Sequence, residues 1–475
     1  MNLRLLLTAT IGSIWPSAGS NRSVHIAEKI FGPKRARPAQ KPIQLPVVSD
    51  TEFTSEFKAV VDYVNQRRGN LFVTGRAGTG KSTLLRCVRD MVKGNVVVVA
   101  PTGLAAINVG GQTIHSFFRL PPRLLRPEDV RANRNAGLFR KLDVLIVDEV
   151  SMVRADLMAA IDRALRLNRG RPNEPFGGVC VVLFGDLHQL PPVVASPEIN
   201  RYLTHNYGGV YFFNAPVFRQ REFQYLELTK KFRQKDPVFS NLLDCIADQS
   251  INDEQMRALN GLVIPLEKLS GRENYTILAP HNQSVSNINS GFLNALSGPE
   301  FAAEAEVQGK FGESDNFPAD PILRLKAGAK VILVRNDVNK RWVNGTSAVI
   351  SRLSNNRVWI RIRGIEHEVE RSSWEKIKYE YDLKSRKMVQ SVIATFRQFP
   401  LRLAWALTIH KSQGMTLDKV YLDLAKGPFA HGQTYVALSR SRSLEGLALS
   451  RPFTRSDIIF DKAAVAYRQA FRSIN

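Results

Sequence analysis

From residue 51 onward, short wholly apolar runs alternate with stretches whose apolar positions recur at helical spacing. FTSEFKAVVDYV places Phe53, Phe57, Val60, Val61 and Val64 along one stripe, the period of an amphipathic helix. Leu71–Thr74, Val96–Ala100, Val144–Val147 and Val179–Phe184 are β-type runs with no polar alternation. That pattern suits parallel strands covered on both faces. Each run ends in residues with chemical potential, and open α/β sheets hold their ligands at the carboxyl ends of strands. A later set, Tyr275–Ala279, Ala404–Thr408 and Val420–Leu424, predicts a second α/β lobe.

Residues 331–400 break this rhythm. Val358, Ile360 and Ile362 alternate with Trp359, Arg361 and Arg363, and turn signals stand at Asn344-Gly345 and Asn355-Asn356. This reads as a small antiparallel barrel or sheet inserted in the second lobe. Its basic, Trp-bearing face is either a nucleic-acid contact or a solvated outer surface.

Composition narrows the partner. The 475 residues suffice for about three domains of ~150 residues each. There is no run of ~18 apolar residues, so no transmembrane helix is expected. Sixty-six Lys and Arg against 43 Asp and Glu leave a formal charge of +23, which draws polyanions, nucleic acid foremost. A basic surface kept for solubility is the alternative. Cys87, Cys180 and Cys245 lie far apart, without a CxxC pair, which fits a reduced compartment. Residues 1–50 have Arg4, Arg22 and no acid before Glu28, followed by KRARPAQKP. They read as a disordered basic extension or a mis-chosen start, with an organellar transit peptide as the alternative.

The chemistry begins after the first apolar run. Gly75-x-x-x-x-Gly80-Lys81-Ser82 has the spacing of a phosphate-binding loop, between a strand and a helix start. Backbone N–H groups of Gly75, Ala77, Gly78, Thr79, Gly80, Lys81, Ser82 and Thr83 are the candidate ATP cradle, aided by the helix dipole. Lys81 would reach the β- and γ-phosphates, and the Ser82 hydroxyl would ligate Mg²⁺. Val144–Val147 runs into Asp148-Glu149. Asp148 would hold Mg²⁺, and Glu149 would deprotonate the attacking water. A small-molecule kinase needs no such base, so the pair favours hydrolysis. Next, VVLFGDLHQLPPVV places Gln189 beside the carboxylates, where an amide can sense the γ-phosphate.

GRAGTGKST, APTGLAAINVGGQTIHSFF, VDEVSM and GDLHQLPPV together resemble a superfamily 1B helicase, of the petite-integration-frequency branch and its RecD-like relatives. The likeness continues through LTKKFRQKDPVFSNLL, LRLAWALTIHKSQGMTLDKVYLDL and GQTYVALSRSRSLEGL, from about residue 51 to 450. It implies two RecA-like P-loop NTPase lobes: 51–222 for the first, with a wedge-like insertion at 121–141. The second would take 223–330 and 401–475 around the barrel-like insertion at 331–400. The motifs match Arg233 to an arginine reaching ATP, Arg440 to the arginine finger, and Gln413 and Gly414 to the loop joining nucleotide to DNA. They match Thr102, Gly103, His115 and Phe117 to strand contacts of the first lobe. His281, Asn282, His410 and Lys411 match those of the second, although Phe117 and Phe118 read equally well as core residues. One departure stands out: Phe57 falls where the family carries a glutamine that reads adenine.

The resemblance implies a monomeric, ATP- and Mg²⁺-dependent DNA helicase moving 5′ to 3′, in genome maintenance. Single-stranded and forked DNA are the expected partners, with RNA–DNA hybrids and G-quadruplexes as alternatives and no membrane. A nucleic-acid-bound ATP switch is the rival. A bacterial-type cytoplasm is the expected compartment, with mitochondrion and nucleus as alternatives.

Overall fold

A computed structural model describes residues 54–472, with breaks at 134–135, 195, 221–222, 235, 266–267, 269–274, 310–316, 343, 355 and 383–386. The extension at 1–50 and the helix position of Phe53 lie outside the described residues.

The first sheet contains β1 (Asn70–Gly75), β2 (Val96–Ala100), β3 (Gln112–Thr113), β4 (Val144–Val147), β5 (Cys180–Phe184) and β6 (Phe223–Leu228), all parallel, in the order β3-β2-β4-β5-β1-β6. The apolar runs explain why both faces are covered. Leu71, Val73, Val98, Ile146 and Val182 pack with Val60, Val61, Val64, Leu84 and Val88 of the helices Ser55–Asn65 and Lys81–Met91. The alternate positions Phe72, Val97, Val99, Leu145 and Val181 meet Met158, Ile161 and Leu165 of the helix Ala155–Arg169. Each such side chain contributes roughly 1.5–3 kcal/mol on burial. Because β5 lies between β4 and β1, the phosphate loop, Asp148-Glu149 and Asp186 leave the sheet side by side.

The strand β6 extends the first lobe past the boundary expected at 222/223, since it pairs with β1 from Asn70↔Phe223 to Gly75↔Leu228. The segment 121–141 stays close to the first lobe: Leu125, Val130, Leu138 and Phe139 are buried in its core. The Leu125 N–H also bonds the Asp156 carboxylate.

After β6 the chain enters the second lobe, whose core takes the helix Pro237–Ala247 and β7 (Thr276–Ala279) before an all-antiparallel insertion interrupts it. The insertion starts at residue 301 rather than 331, with β8 (Phe301–Glu304), β9 (Glu306–Gly309) and β10 (Ile322–Leu325). It continues as β11 (Lys330–Leu333), β12 (Ser347–Ser354), β13 (Arg357–Ile362), β14 (Ile365–Val369), β15 (Ser372–Asp382), β16 (Lys387–Gln398) and β17 (Leu401–Leu403). Its main sheet has the order β14-β13-β12-β11-β17, with β15-β16-β9 and β10-β8 as smaller sheets. Val358, Ile360 and Ile362 face its core, as the alternation predicts. On the other face the Arg352 guanidinium lies 4.0 Å from the Trp359 ring centroid, and Arg357 is 3.7 Å from Glu368. The chain then returns to β18 (Ala406–Thr408), β19 (Val420–Leu422) and β20 (Leu447–Leu449), giving a parallel sheet of order β18-β7-β19-β20.

Two later elements reach back to the first lobe. Ile377 of β15 joins its core. The helix Lys462–Arg472 adds Ala464, and its Tyr467 stacks on Phe213 at 3.9 Å. No described helix is long and apolar enough to cross a membrane.

Candidate active site

The phosphate loop follows β1. Gly80 caps the helix Lys81–Met91 with φ +86°, a left-handed conformation that glycine adopts without strain. At Gly78, with φ +85°, a Cβ would stand 2.7 Å from the Cβ of Arg233, so only glycine lets the crossing segment approach this closely. The Phe232 N–H donates to the Gly78 carbonyl at 2.8 Å and ties the two together. Lys81 Nζ donates to the carbonyls of Gly75 (2.6 Å) and Arg76 (3.0 Å) and lies 3.9 Å from Asp186. Its ammonium is folded onto the loop, and burial lowers its pKa although Asp186 and Glu149 oppose this. Ser82 and Thr83 sit on the first helical turn with Ser82 exposed, while the Thr79 side chain is buried and donates to the Arg76 carbonyl.

Asp148 and Glu149 leave β4 together. Glu149 has φ +47° and ψ +43°, strained for a residue with a Cβ and the kind of outlier that clusters at reacting centres. Burial, then the neighbouring Glu149 charge, pushes the Asp148 carboxyl up to about 7; burial also raises Glu149. Among the described residues no group of three or more His, Cys, Asp or Glu could by itself hold a metal ion. A carboxylate pair that burial drives toward protonation, with the Ser82 hydroxyl exposed on the first turn of the loop's helix, nevertheless fits a divalent cation whose other ligands are phosphate oxygens and water.

The same shift makes a stability prediction. Between its ordinary value of 3.8 and about 7, folded Asp148 keeps a proton that the unfolded chain releases, so stability falls as pH rises through that window. Asp148→Asn removes the loss. In chelator, the variant is expected to melt above the wild type at pH 8, with the gap closing toward pH 4; thermal unfolding followed against pH checks this.

Sequence reasoning passed over Asp186. It is 1% exposed, accepts from the His188 backbone (3.0 Å) and Nδ1 (2.9 Å), and accepts from Gln189 Nε2 (2.8 Å). Burial raises its carboxyl, but Lys81 and these hydrogen bonds outweigh that and hold it well below the usual carboxylate range. Gln189 is thereby fixed with its carbonyl free to accept from Gln413 Nε2 at 3.2 Å.

The second lobe closes the cleft. The Tyr435 hydroxyl accepts the Ala77 N–H at 2.9 Å, so this loop amide is already engaged. Arg76 pairs with Asp244 and Asp248 on the far side. Arg440 is 1% exposed and donates to the carbonyls of Val436 (2.8 Å), Met415 (3.3 Å) and Ser412 (3.4 Å) and to Ser439 Oγ (2.8 Å), all in its own lobe. Burial and then the Arg233 charge lower its pKa to about 9. Arg233 donates to the Ser439 carbonyl (3.3 Å) and, at the limit, to that of Gly414 (3.5 Å). Two guanidiniums side by side, without a carboxylate between them, suit an incoming phosphate. Phe57 is buried beneath Gly80, its ring 3.3 Å from where a Cβ there would stand, and brings no hydrogen bond to a base edge.

The expected strand contacts separate into two groups. Thr102 caps the helix Gly103–Val109 by accepting the Ala105 N–H, with Gly103 at its first position. His115 is half-buried near them. Phe117 is 4% exposed and packs on Phe118 and Phe139, so it is a core residue and offers no face to a base. In the second lobe His281 occupies the position before the helix Asn282–Ala295 without a side-chain capping bond, and Asn282 is exposed. His410 follows β18, and Lys411 is exposed beside it. Phe429, which sequence reasoning did not select, is 56% exposed and stacks on His281 at 5.1 Å and His410 at 6.4 Å. Three roughly parallel rings thus gather at the carboxyl ends of β7, β18 and β19, an arrangement of the kind on which bases can stack.

Known proteins share this arrangement. A family model described as PIF1-like helicase matches residues 50–257. The "ATP-dependent DNA helicase Pif1" of Bdellovibrio bacteriovorus is 32% identical over 433 residues, which are 89% of this chain and 93% of that protein. The human "ATP-dependent DNA helicase PIF1" is 33% identical over 416 residues, 83% of this chain but only 60% of that one. The chain thus spans about 60% of the length of the vertebrate relatives it matches. The crystal structure of Bacteroides Pif1 in complex with ADP-AlF4 superposes with a TM-score of 0.83, at 37% identity, over 90% of this chain and 98% of that one. This chain belongs to the PIF1-like helicase family.

Proposed function

We propose that the protein is an ATP-dependent DNA helicase that moves 5′ to 3′ along single-stranded DNA and opens forked duplex in genome maintenance, acting as a monomer. One observation carries the reading. Lys81, Asp148, Glu149 and Gln189 from the first lobe meet Arg233, Arg440 and Gln413 from the second in a single interlobe cleft, beside a ring platform for bases. Supporting relatives include Bacteroides Pif1 in a crystal structure bound to single-stranded DNA, and a structure of DNA unwinding at forked duplex by two coordinating Pif1 helicases. RNA–DNA hybrids and G-quadruplexes are further substrates to compare.

The chemistry follows from the groups. ATP phosphates seat on the loop amides and draw Lys81 off its carbonyls. Glu149 takes the proton of a water lined up on the γ-phosphorus, while Gln189 orients it. Mg²⁺ held by Ser82 and Asp148 would neutralise charge on the phosphate oxygens. Arg233 and Arg440 leave the carbonyls they occupy and spread the charge that develops on the γ-phosphoryl group. Closure needs all of these, and loss of phosphate releases them, so the lobes cycle once per ATP.

The rival switch reading differs in one measurement. ATP hydrolysis is expected to rise by more than tenfold when single-stranded DNA saturates the protein; hydrolysis indifferent to DNA contradicts a translocating motor.

A further inference from the structure

Phe57 takes no part in the chemistry above, yet it stands against the phosphate loop. Its ring is 2% exposed and packs in the core with Val60, Val61 and Leu84. A Cβ built on Gly80 would lie 3.3 Å from this ring and 3.3 Å from that of Phe232, so two phenyl groups flank the loop's last glycine. The strand order says what they flank. Asp148, Glu149 and Gln189 follow β4 and β5 on one side of β1, and β6 lies on the other. A triphosphate whose γ-phosphorus faces Glu149 and Gln189 therefore runs past Gly80 toward the end of β6. Its nucleoside emerges there, between the start of the helix Ser55–Asn65 and the segment 229–232.

That exit presents a base with a face to rest on. Phe232 is half-buried, with Lys230 Nζ 5.4 Å from its ring centroid, and its N–H is fixed on the Gly78 carbonyl at 2.8 Å. A ring held in this way is a stacking surface, and every base has a π-face. The polar side chains at the same rim are turned on each other or on the backbone. Thr229 Oγ1 donates to Glu56 Oε1 at 3.3 Å, and Thr54 Oγ1 accepts the Phe57 N–H at 3.3 Å. The amide of Gln234, near Gly78, is buried and directs its Nε2 to the carbonyls of Ser439 and Ser441. A carboxylate only accepts, so Glu56 can receive the N6 amine of adenine or the N1–H and N2 amine of guanine. The phenyl ring of Phe57 brings neither a donor nor an acceptor to a base edge.

From this arrangement we infer that the site holds a nucleotide by its phosphates and the face of its base without reading the base edge. GTP is then a substrate alongside ATP, and Phe57 is the residue that sets this breadth. The inference deepens the helicase reading and rests on it for the cleft in which nucleotide is hydrolysed; it names the substrate class of that cleft. The step is the same for either purine. Water adds to the γ-phosphorus, the bond to the β–γ bridging oxygen breaks, and Glu149 takes the water's proton. A nucleoside diphosphate and inorganic phosphate leave. Hydrogen-bonded recognition separates ligands of similar shape by large factors, and apolar contact alone separates them by small ones. CTP and UTP bring a smaller face to Phe232 and bind more weakly than either purine.

Hydrolysis of ATP and of GTP by the full chain, with and without saturating single-stranded DNA, tests this. The two kcat/KM values are expected within about tenfold of each other, the range that apolar contact allows. A larger preference for ATP overturns the inference and leaves the helicase reading intact. Hydrolysis indifferent to DNA overturns the helicase reading, and the ATP-to-GTP ratio still decides the inference. Phe57→Gln supplies an amide beside Gly80 and is expected to raise that ratio by about tenfold or more. A folded Phe57→Gln variant with an unchanged ratio overturns the role given to Phe57. Phe57→Leu keeps the apolar fill, so its ratio is expected to stay within about twofold of wild type; thermal unfolding shows that both variants are folded. Phe232→Ala, which leaves the buried helix packing alone, is expected to raise the KM of ATP and GTP together by about tenfold. KM values that do not move place the base away from this ring and overturn the inference.

Discussion

Glu149→Gln is expected to lower ATP turnover by roughly 10²–10⁴-fold, the usual contribution of a positioned general base, with ATP binding retained. Glu149 stands beside Asp148 at the end of β4, opposite the phosphate loop, and its strained backbone aims the carboxylate into the cleft rather than at the sheet. The amide keeps the shape and can still pair with Gln413, but it cannot accept a proton at neutral pH. Lys81 and the loop amides, which would hold the phosphates, are untouched. Single-turnover hydrolysis and titration with a fluorescent ATP analogue separate the two effects. A variant within tenfold of the wild-type rate would show that another group takes the proton; lost nucleotide binding would show that Glu149 shapes the pocket instead.

The second large effect falls on Arg440. Arginines that complete a phosphoryl cage across a cleft are worth on the order of 10³–10⁵ in turnover, so Arg440→Lys is expected to lose about 10³-fold or more. Lysine keeps the charge but not the planar fork that grips two oxygens. The resting geometry sharpens the expectation. Arg440 is buried on backbone carbonyls and Ser439 Oγ, and burial beside Arg233 already weakens its hold on its proton. Among the described residues it makes no ion pair within 4 Å that it would have to leave, which lowers the cost of swinging toward phosphate. Because those bonds also brace the turn after the helix Gln433–Leu438, thermal unfolding must be measured alongside kcat and KM. A folded Arg440→Lys variant with near-normal kcat contradicts the finger role.

How far the sequence foretells this molecule depends on whether the signal is local. The apolar strands β1, β2, β4 and β5 are self-contained runs of Val, Leu and Ile, and they appear within a residue or two of their predicted bounds. The phosphate loop is likewise local. Strand β6 was missed because an edge strand carries polar positions: Gln224 is exposed and Glu227 half-buried in FQYLEL. The early start of the insertion was invisible because β8 and β10 pair across an intervening stretch. Phe117 shows the limit for ligand contacts, since HSFF reads the same whether its rings face bases or the core. Asp186 carries no local signal, because its role rests on Lys81 and His188 folding around it. The contacts of Gln413 with Glu149 and of Tyr435 with Ala77 join positions hundreds of residues apart, and only the fold brings them together.

Under the proposed function, ATP hydrolysis in this cleft drives movement along one DNA strand in one direction. The most direct measurement is strand displacement on two matched duplexes, one with a single-stranded 5′ tail and one with a 3′ tail, with ATP and with a non-hydrolysable analogue. Displacement of the 5′-tailed duplex alone is expected, dependent on hydrolysis and absent in Glu149→Gln. Robust DNA-stimulated hydrolysis with neither duplex opened, or opening from the 3′ tail, would contradict it.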